Sequence, residues 1–273
     1  MIYLNKGDYM IYVEDSNKKY EHEIIKHLRS HNHKYVGDRI SAQGYFYAFK
    51  DDILVGKLYT SLFWDWVSLG NMYYKDLNTL STLLNKIQYH YDNYVGIKHY
   101  TEVKSKENDL IELGLKVAGH TASTPKIPAY TFLKTTGKKF EANCKLKIIS
   151  SDEKIADYET VKSENTSQSQ TTDVYFIALD EDVFAGGIHG IIEDDSMYIS
   201  RLAVDPNYRD HHIGSQLMAK IEERARALNL YNLTTGTCSF QAKDFYVKQG
   251  YQITFTKEND PKGYESYSLE KKL

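Results

Sequence analysis

Apolar and polar residues alternate in short runs along most of the chain, and two pairs of runs close around acidic turns. Residues 45–49 and 53–59 flank Lys50-Asp51-Asp52, and residues 174–179 and 183–192 flank Asp180-Glu181-Asp182. Each set predicts a strand, a turn and a strand. Further strands are predicted at 9–13, 66–74, 131–133, 146–149, 197–204, 231–236 and 264–269. Helical spacing replaces the alternation at Leu77, Leu80, Leu84, Ile87 and Tyr91, and again in an amphipathic segment that ends near Leu228. Shorter helices are predicted over 20–28, 155–161 and 242–248. His31 and His33 fall in a polar loop with no third metal ligand near them, and the Ser/Gln/Thr-rich residues 163–172 form a second loop.

The same order of elements occurs twice. At an offset of 130, Ala48 falls on Ala178, Asp52 on Asp182, Gly56 on Gly186, Leu69 on Ile199 and Met72 on Leu202. Further on the offset becomes 136, with Gly114 on Gly250, Pro125 on Pro261, Lys126 on Lys262 and Leu133 on Leu269. A fixed offset held over so many positions implies an internal duplication. Residues 134–143, with Gly137 and paired lysines, have linker character. The chain is therefore expected to divide into residues 1–136, a linker at 137–143 and residues 144–273. The change of offset means that the first copy lacks six residues between Lys75 and Gly114, where the second copy has a loop.

Composition narrows the class. A 273-residue chain with 41% hydrophobic and 26% charged residues is that of a globular protein large enough for one large or two ordinary domains. A net charge of −3 argues against general nucleic-acid binding. Two cysteines give neither a disulfide framework nor a metal spacing, and no apolar run is long enough to span a membrane. A cytoplasmic protein is the expectation.

The loop in question is Asp205-Pro206-Asn207-Tyr208-Arg209-Asp210-His211-His212-Ile213-Gly214-Ser215, set between an apolar strand and an amphipathic helix. Unpaired N–H groups at a helix start favour an anion, and Arg209 adds a planar positive fork beside them. The run from Arg209 to Gly214 resembles the Arg/Gln-x-x-Gly-x-Gly/Ala pattern of the GNAT acyl-coenzyme A N-acetyltransferases, with His212 in place of the first glycine. A histidine there must avoid φ > 0 or tolerate strain. Residues 238–251, which end Phe245-Tyr246-Val247-Lys248-Gln249-Gly250-Tyr251, resemble the family's second signature at the family's spacing. The similarity covers roughly residues 145–273.

The resemblance implies an α/β (α+β) fold of two tandem GNAT-like domains, each a mixed, mostly antiparallel sheet flanked by helices, the first without a pyrophosphate loop. It implies acetyl-CoA as cosubstrate and no metal. Main-chain groups of Leu202, Ala203 and Val204 would hold the pantetheine arm, and Arg209, Asp210, His211, His212, Ile213, Gly214 and Ser215 the pyrophosphate. Ser239 stands where the family often has a cofactor-contacting asparagine. Tyr246 stands at the place of the thiolate-protonating tyrosine, and a phenol of pKa about 10 suits that task. Glu193, Asp194, Asp195 and His189 are candidates for the general base, with Glu193 taken first; an acidic strand-to-strand turn is the plainer reading of the three carboxylates. The expected reaction is transfer of acetyl to a primary amine, small-molecule or peptide, within one ternary complex. A non-catalytic acyl-CoA-binding module is the alternative, and a homodimer through a strand edge or either domain stays open.

Overall fold

The computed structural model describes residues 2–4, 8–14, 18–38, 41–91, 94–137, 139–143, 145–153, 155 and 170–273. Among them the chain forms β1 (Ile2–Leu4), β2 (Asp8–Glu14), α1 (Glu21–Val36), β3 (Ser41–Lys50), β4 (Ile53–Phe63), β5 (Trp66–Tyr74), α2 (Leu77–Gln88), β6 (Gly96–Thr101), α3 (Lys104–Glu112), β7 (Lys116–His120), β8 (Thr131–Thr135) and β9 (Lys147–Ser151). The second half adds β10 (Thr171–Asp180), β11 (Val183–Glu193), β12 (Ser196–Val204), α4 (Ile213–Ala227), β13 (Asn232–Cys238), α5 (Lys243–Lys248), β14 (Gln252–Glu258) and β15 (Glu265–Lys272). The helix expected at 155–161 and most of the tract 163–172 lie outside the described residues.

These strands make two sheets, in the orders β7-β8-β6-β5-β4-β3-β9 and β1-β2-β10-β11-β12-β13-β15-β14. In each, one neighbouring pair is parallel, β5 with β6 and β12 with β13, and the remaining pairings are antiparallel. The fold is thus mixed α/β, with two mostly antiparallel sheets flanked by helices. Apart from β1, which has no counterpart in the first sheet, the two orders correspond when one is reversed, β9 taking the place of β2.

That last correspondence carries an exchange. β2 pairs with β10, Val13 opposite Ile177, whereas β9 pairs with β3, Ile149 opposite Tyr47. The first half lends β1 and β2 to the second sheet and the second half lends β9 to the first, so the boundary between sheets does not coincide with the division expected at 137–143. Both strands carry the same short apolar pattern and each covers an edge that would otherwise be open. Residues 139–143 are held along α2, where Asn85 Nδ2 donates to the Phe140 carbonyl at 2.6 Å and Ser81 Oγ to that of Glu141 at 2.9 Å.

The helices bury apolar stripes at a period of 3.6. α2 places Leu80, Leu83, Leu84 and Ile87 against Phe46, Leu58 and Met72 of the first sheet, and α4 places Leu217, Ile221 and Ala225 against Ile188, Met197 and Leu233 of the second. Each fully buried leucine or isoleucine contributes roughly 1.5–3 kcal/mol. On the opposite face of the second sheet α1 seats Ile24 among Tyr175, Ile177, Leu179 and Ala203. Gly187 permits that approach, since a Cβ there would come within 2.8 Å of Ile24. α1 runs eight residues past its expected end at 28, so His31 and His33 are helical rather than in a loop. Gly37, at φ 65°, ends it.

Candidate functional site

Two features of the second sheet leave backbone groups open. The first is a fork between β12 and β13. Their parallel pairing runs from Ser196 opposite Asn232 to Ile199 opposite Thr235 and then stops, although both strands continue. On its other side β12 stays paired with β11, with a bulge at Ser200 between the Gly190–Ile199 and His189–Arg201 pairs. Leu202, Ala203 and Val204 therefore keep partners on β11 and have none on β13.

The second feature is the start of α4. The chain leaves β12 through a 3-10 turn at Pro206–Tyr208 and reaches α4 with Asp210 at φ 65° and His212 at φ 60°, ψ 13°. His212 thus adopts a left-handed conformation that favours glycine, the residue the resembled pattern has there. Histidine is among the residues that tolerate this region, at some cost. No side chain caps α4, and the first helical bond runs from Gln216 N–H to the His212 carbonyl at 3.0 Å. The N–H groups of Ile213, Gly214 and Ser215 have no helical acceptor. Arg209, Asp210, His211 and His212 are exposed around them. Gly214 lies 3.4 Å from the Phe245 ring as measured from an added Cβ, so it brings α4 against α5.

Tyr246, on α5, is 6% exposed. Its phenol lies beside Thr235 at the apex of the fork. The Thr235 hydroxyl donates to the Ile199 carbonyl at 3.0 Å. Burial pushes the Tyr246 pKa up to about 12, above the value of about 10 expected from sequence, because an ionised phenol there would lose its water; the Thr235 hydroxyl draws it down by less. Thr235 was not singled out by sequence; one of three threonines in a strand carries no signal of such a position.

The carboxylates are spread out. Glu193 pairs with Ser196 at the closed end of the β11–β12 hairpin, three residues below the fork apex at Ile199, or about 10 Å at strand rise. Asp194 is exposed. Asp195 accepts from Thr124 Oγ1 at 2.5 Å and from Lys126 N–H at 3.2 Å in the first half. His189 has both ring nitrogens engaged: Nδ1 accepts from Arg201 Nη1 at 3.0 Å, and Nε2 donates to Asp173 at 2.8 Å. Burial lowers its pKa despite Asp173, so the ring is neutral and not a free base. Ser239 is exposed at the end of the β13 arm, where its N–H donates to the Glu265 carbonyl at 2.8 Å and its hydroxyl accepts from Glu265 N–H at 3.3 Å. Among the described residues no cluster of three His, Cys, Asp or Glu could hold a metal, and no helix is long and apolar enough to cross a membrane.

The first sheet has the same fork, with β5 and β6 paired only from Trp66–Gly96 to Ser68–Lys98. There the open groups are filled from within. Asp76 caps α2, its carboxylate accepting from Thr79 N–H and Thr79 Oγ1, both at 2.7 Å. Those bonds hold its pKa below the usual carboxylate range. Lys106, buried on α3, donates from Nζ to the Met72 carbonyl at 3.0 Å, inside the splayed segment. At the offset of 136, Ala242 stands where Lys106 does and Tyr246 where the buried Leu110 does.

Against this geometry, residues 145–251 match the Acetyltransferase (GNAT) family. Over 90 residues, 33% of this chain, it is 33% identical to a blasticidin-S acetyltransferase of Streptomyces morookaense, and the chain spans 66% of that relative's length. An acetyltransferase structure from Bacillus cereus ATCC 14579 is 29% identical, with 43% of this chain and 83% of that one covered and a TM-score of 0.37. A GNAT family acetyltransferase from Elizabethkingia anophelis, solved with acetyl-CoA bound, is 19% identical over 37% of this chain and 76% of that one, with a TM-score of 0.33.

Proposed function

We propose that the chain is an N-acetyltransferase that moves the acetyl group of acetyl-CoA to a primary amine, with the site in the second half and a degenerate copy of it in the first. The observation that carries this reading is the difference between the two forks. Both halves splay a parallel strand pair and begin a helix beside it. The first half closes these openings with Asp76 and Lys106, and the second leaves them open.

The residues fit a coenzyme A. The N–H groups at the start of α4, with Arg209 beside them, form a cradle for a pyrophosphate. The unpaired edge of Leu202, Ala203 and Val204 offers main-chain donors and acceptors to an amide-bearing arm, and one N–H there is placed to stabilise negative charge on a carbonyl oxygen. Bound acetyl-CoA supplies a thioester: the amine nitrogen bonds to its carbonyl carbon, the C–S bond breaks, the nitrogen gives up a proton and the sulfur takes one. Tyr246 keeps its proton at any physiological pH, and its O–H rotates toward the sulfur without moving the ring. Handing the proton over fully to a thiolate of conjugate pKa near 8.5 costs roughly 5 kcal/mol, so the phenol acts chiefly as a hydrogen-bond donor as charge develops. Glu193, about 10 Å from the apex, takes the amine proton through intervening water. A small-molecule amine is the proposed acceptor, by analogy with the relative named for blasticidin-S.

The test is coenzyme A release from acetyl-CoA with a panel of small amines, for the wild type and Tyr246→Phe. The expected result is a fall in kcat of about 100-fold in the variant, with the melting shift caused by acetyl-CoA retained. A non-catalytic acyl-CoA-binding module would give that shift, no release with any amine, and no response to the substitution. Absence of a shift at millimolar acetyl-CoA would remove both readings.

A further inference from the structure

Asp205 stands where β12 ends and the turn toward α4 begins. Its N–H donates to the Ala185 carbonyl at 2.9 Å, and its Oδ1 accepts from Asn207 N–H at 2.8 Å, which shapes the 3-10 turn. Its Oδ2 lies 2.9 Å from His27 Nε2, on α1, a helix contributed from 178 positions away. His27 Nδ1 lies 2.8 Å from the Glu23 carbonyl oxygen. A main-chain carbonyl only accepts. So does an ionised carboxylate, and although partial burial works the other way, the Asn207 N–H and His27 bring Asp205 below the usual carboxylate range. Both ring nitrogens therefore face acceptors, and Nε2 donates to the Asp205 carboxylate. The other groups facing the ring are the Glu23 carboxylate, 3.9 Å from Nδ1, and the Phe184 ring, whose centroid is 5.3 Å away.

α1 is also fixed to the other arm of the fork. His31 Nε2 donates to the Phe240 carbonyl at 3.1 Å, and Gln241 Nε2 donates to Asn32 Oδ1 at 2.8 Å. The helix thus bridges the β12 side through His27 and the β13 side through His31 and Asn32. With its far end fixed, the His27 donor is presented to the turn at a set position.

We infer that His27 is a positioning residue for the phosphate-binding turn: its ring Nε2–H holds Asp205, and Asp205 in turn holds Asn207 and the approach to Arg209 and the α4 N–H groups. The inference rests on the proposed coenzyme A reading. It makes the N-terminal segment part of the second half's binding apparatus, through a residue that touches no ligand. The effect belongs to the pyrophosphate end of the ligand only.

Calorimetric titration with coenzyme A, and with pantetheine, which lacks the pyrophosphate and nucleotide, tests it. For His27→Ala the Kd of coenzyme A should rise about tenfold, the worth of a charged hydrogen bond transmitted in part, while that of pantetheine changes less than about twofold. His27→Gln, which keeps one N–H donor toward Asp205, should restore most of the affinity. Should His27→Ala fail to fold, Asp205→Asn removes the charge from the other partner and should show the same selective loss. Unchanged coenzyme A affinity in these variants overturns the inference, and so does an equal loss for pantetheine, which a loosened α1 alone would give. If the wild type binds pantetheine and coenzyme A equally weakly or not at all, the coenzyme A reading falls first and takes this inference with it.

Discussion

Asp65 and Asp195, 130 positions apart, perform the same task in opposite directions across the contact between the halves. Asp65 Oδ2 accepts from Lys262 N–H at 2.8 Å, and Asp195 Oδ2 accepts from Lys126 N–H at 3.2 Å. Lys126 and Lys262 are themselves 136 positions apart, so both pairs obey the offsets found in the sequence. The contact is therefore arranged like a two-fold interface within one chain. Gly119 and Phe255, also 136 apart, meet each other across it, and a Cβ on Gly119 would collide with the Phe255 ring. The symmetry is broken at one place. Thr124 donates to Asp195 Oδ1, but its counterpart Asp260 instead accepts from Lys98 Nζ at 2.9 Å, and among the described residues Asp65 Oδ1 has no hydrogen-bond partner.

Asp195→Ala should lower the stability of the whole chain by about 1–3 kcal/mol, since it strips partners from both the Thr124 hydroxyl and the Lys126 N–H. Asp65→Ala, which frees a single N–H, should cost less. Urea unfolding of the two variants gives the comparison; an equal loss would show that the second oxygen of Asp195 contributes nothing.

The exchange of β2 and β9 makes each half depend on the other. A fragment of residues 144–273 lacks β2 and α1, leaves the edge of β10 unpaired, and exposes Tyr175, Ile177 and Ala203, which α1 covers. It should be poorly folded or aggregated, while the full chain melts cooperatively. Circular dichroism and size-exclusion chromatography of the fragment decide this; a sharp melting transition in a monomeric fragment would show that the exchanged elements are dispensable.

Asp76 gives a pH-dependent difference. Its folded pKa is depressed by the Thr79 bonds, so its contribution is present above the unfolded carboxylate value of about 3.9 and is lost as pH falls through the folded value. Asp76→Ala should destabilise by about 1 kcal/mol near neutrality, as loss of a helix cap does. The gap between variant and wild type should close on acidification below about pH 3. A gap that persists unchanged at low pH would assign the effect to packing instead.

What the sequence made legible follows from locality. The hairpin of β10 and β11 could be read because alternation and the turn Asp180-Glu181-Asp182 lie within twenty or so residues of each other. The equivalence of Ala48 with Ala178 was legible because both fill the same place in a strand and tolerate no bulk. Residues 9–13 and 146–149 read as strands for the same reason, but alternation carries no record of which edge a strand joins, and their exchange went unseen. Thr235 and His27 were hidden in the same way: each matters through a partner on another element, and neither has a neighbour in sequence that marks it. The length of α1 was misjudged because its polar second half looks like a loop until Asn32 and His31 are placed against β13 and the turn after it.

His212 offers a test of how the loop binds. Its left-handed backbone costs a non-glycine residue about 1–2 kcal/mol, and its side chain makes no capping bond. Glycine relieves that strain but adds about 0.5–1 kcal/mol of unfolded-state entropy to be lost. His212→Gly should therefore leave stability unchanged or raise it by up to about 1 kcal/mol. His212→Val should lower it by about 1–2 kcal/mol, because a β-branched residue is least suited to that region. If the proposed pyrophosphate cradle consists of main-chain N–H groups, the coenzyme A affinity of His212→Gly stays within about twofold of the wild type. A fall of tenfold or more, with stability preserved, would instead make the His212 imidazole a direct partner of the anion.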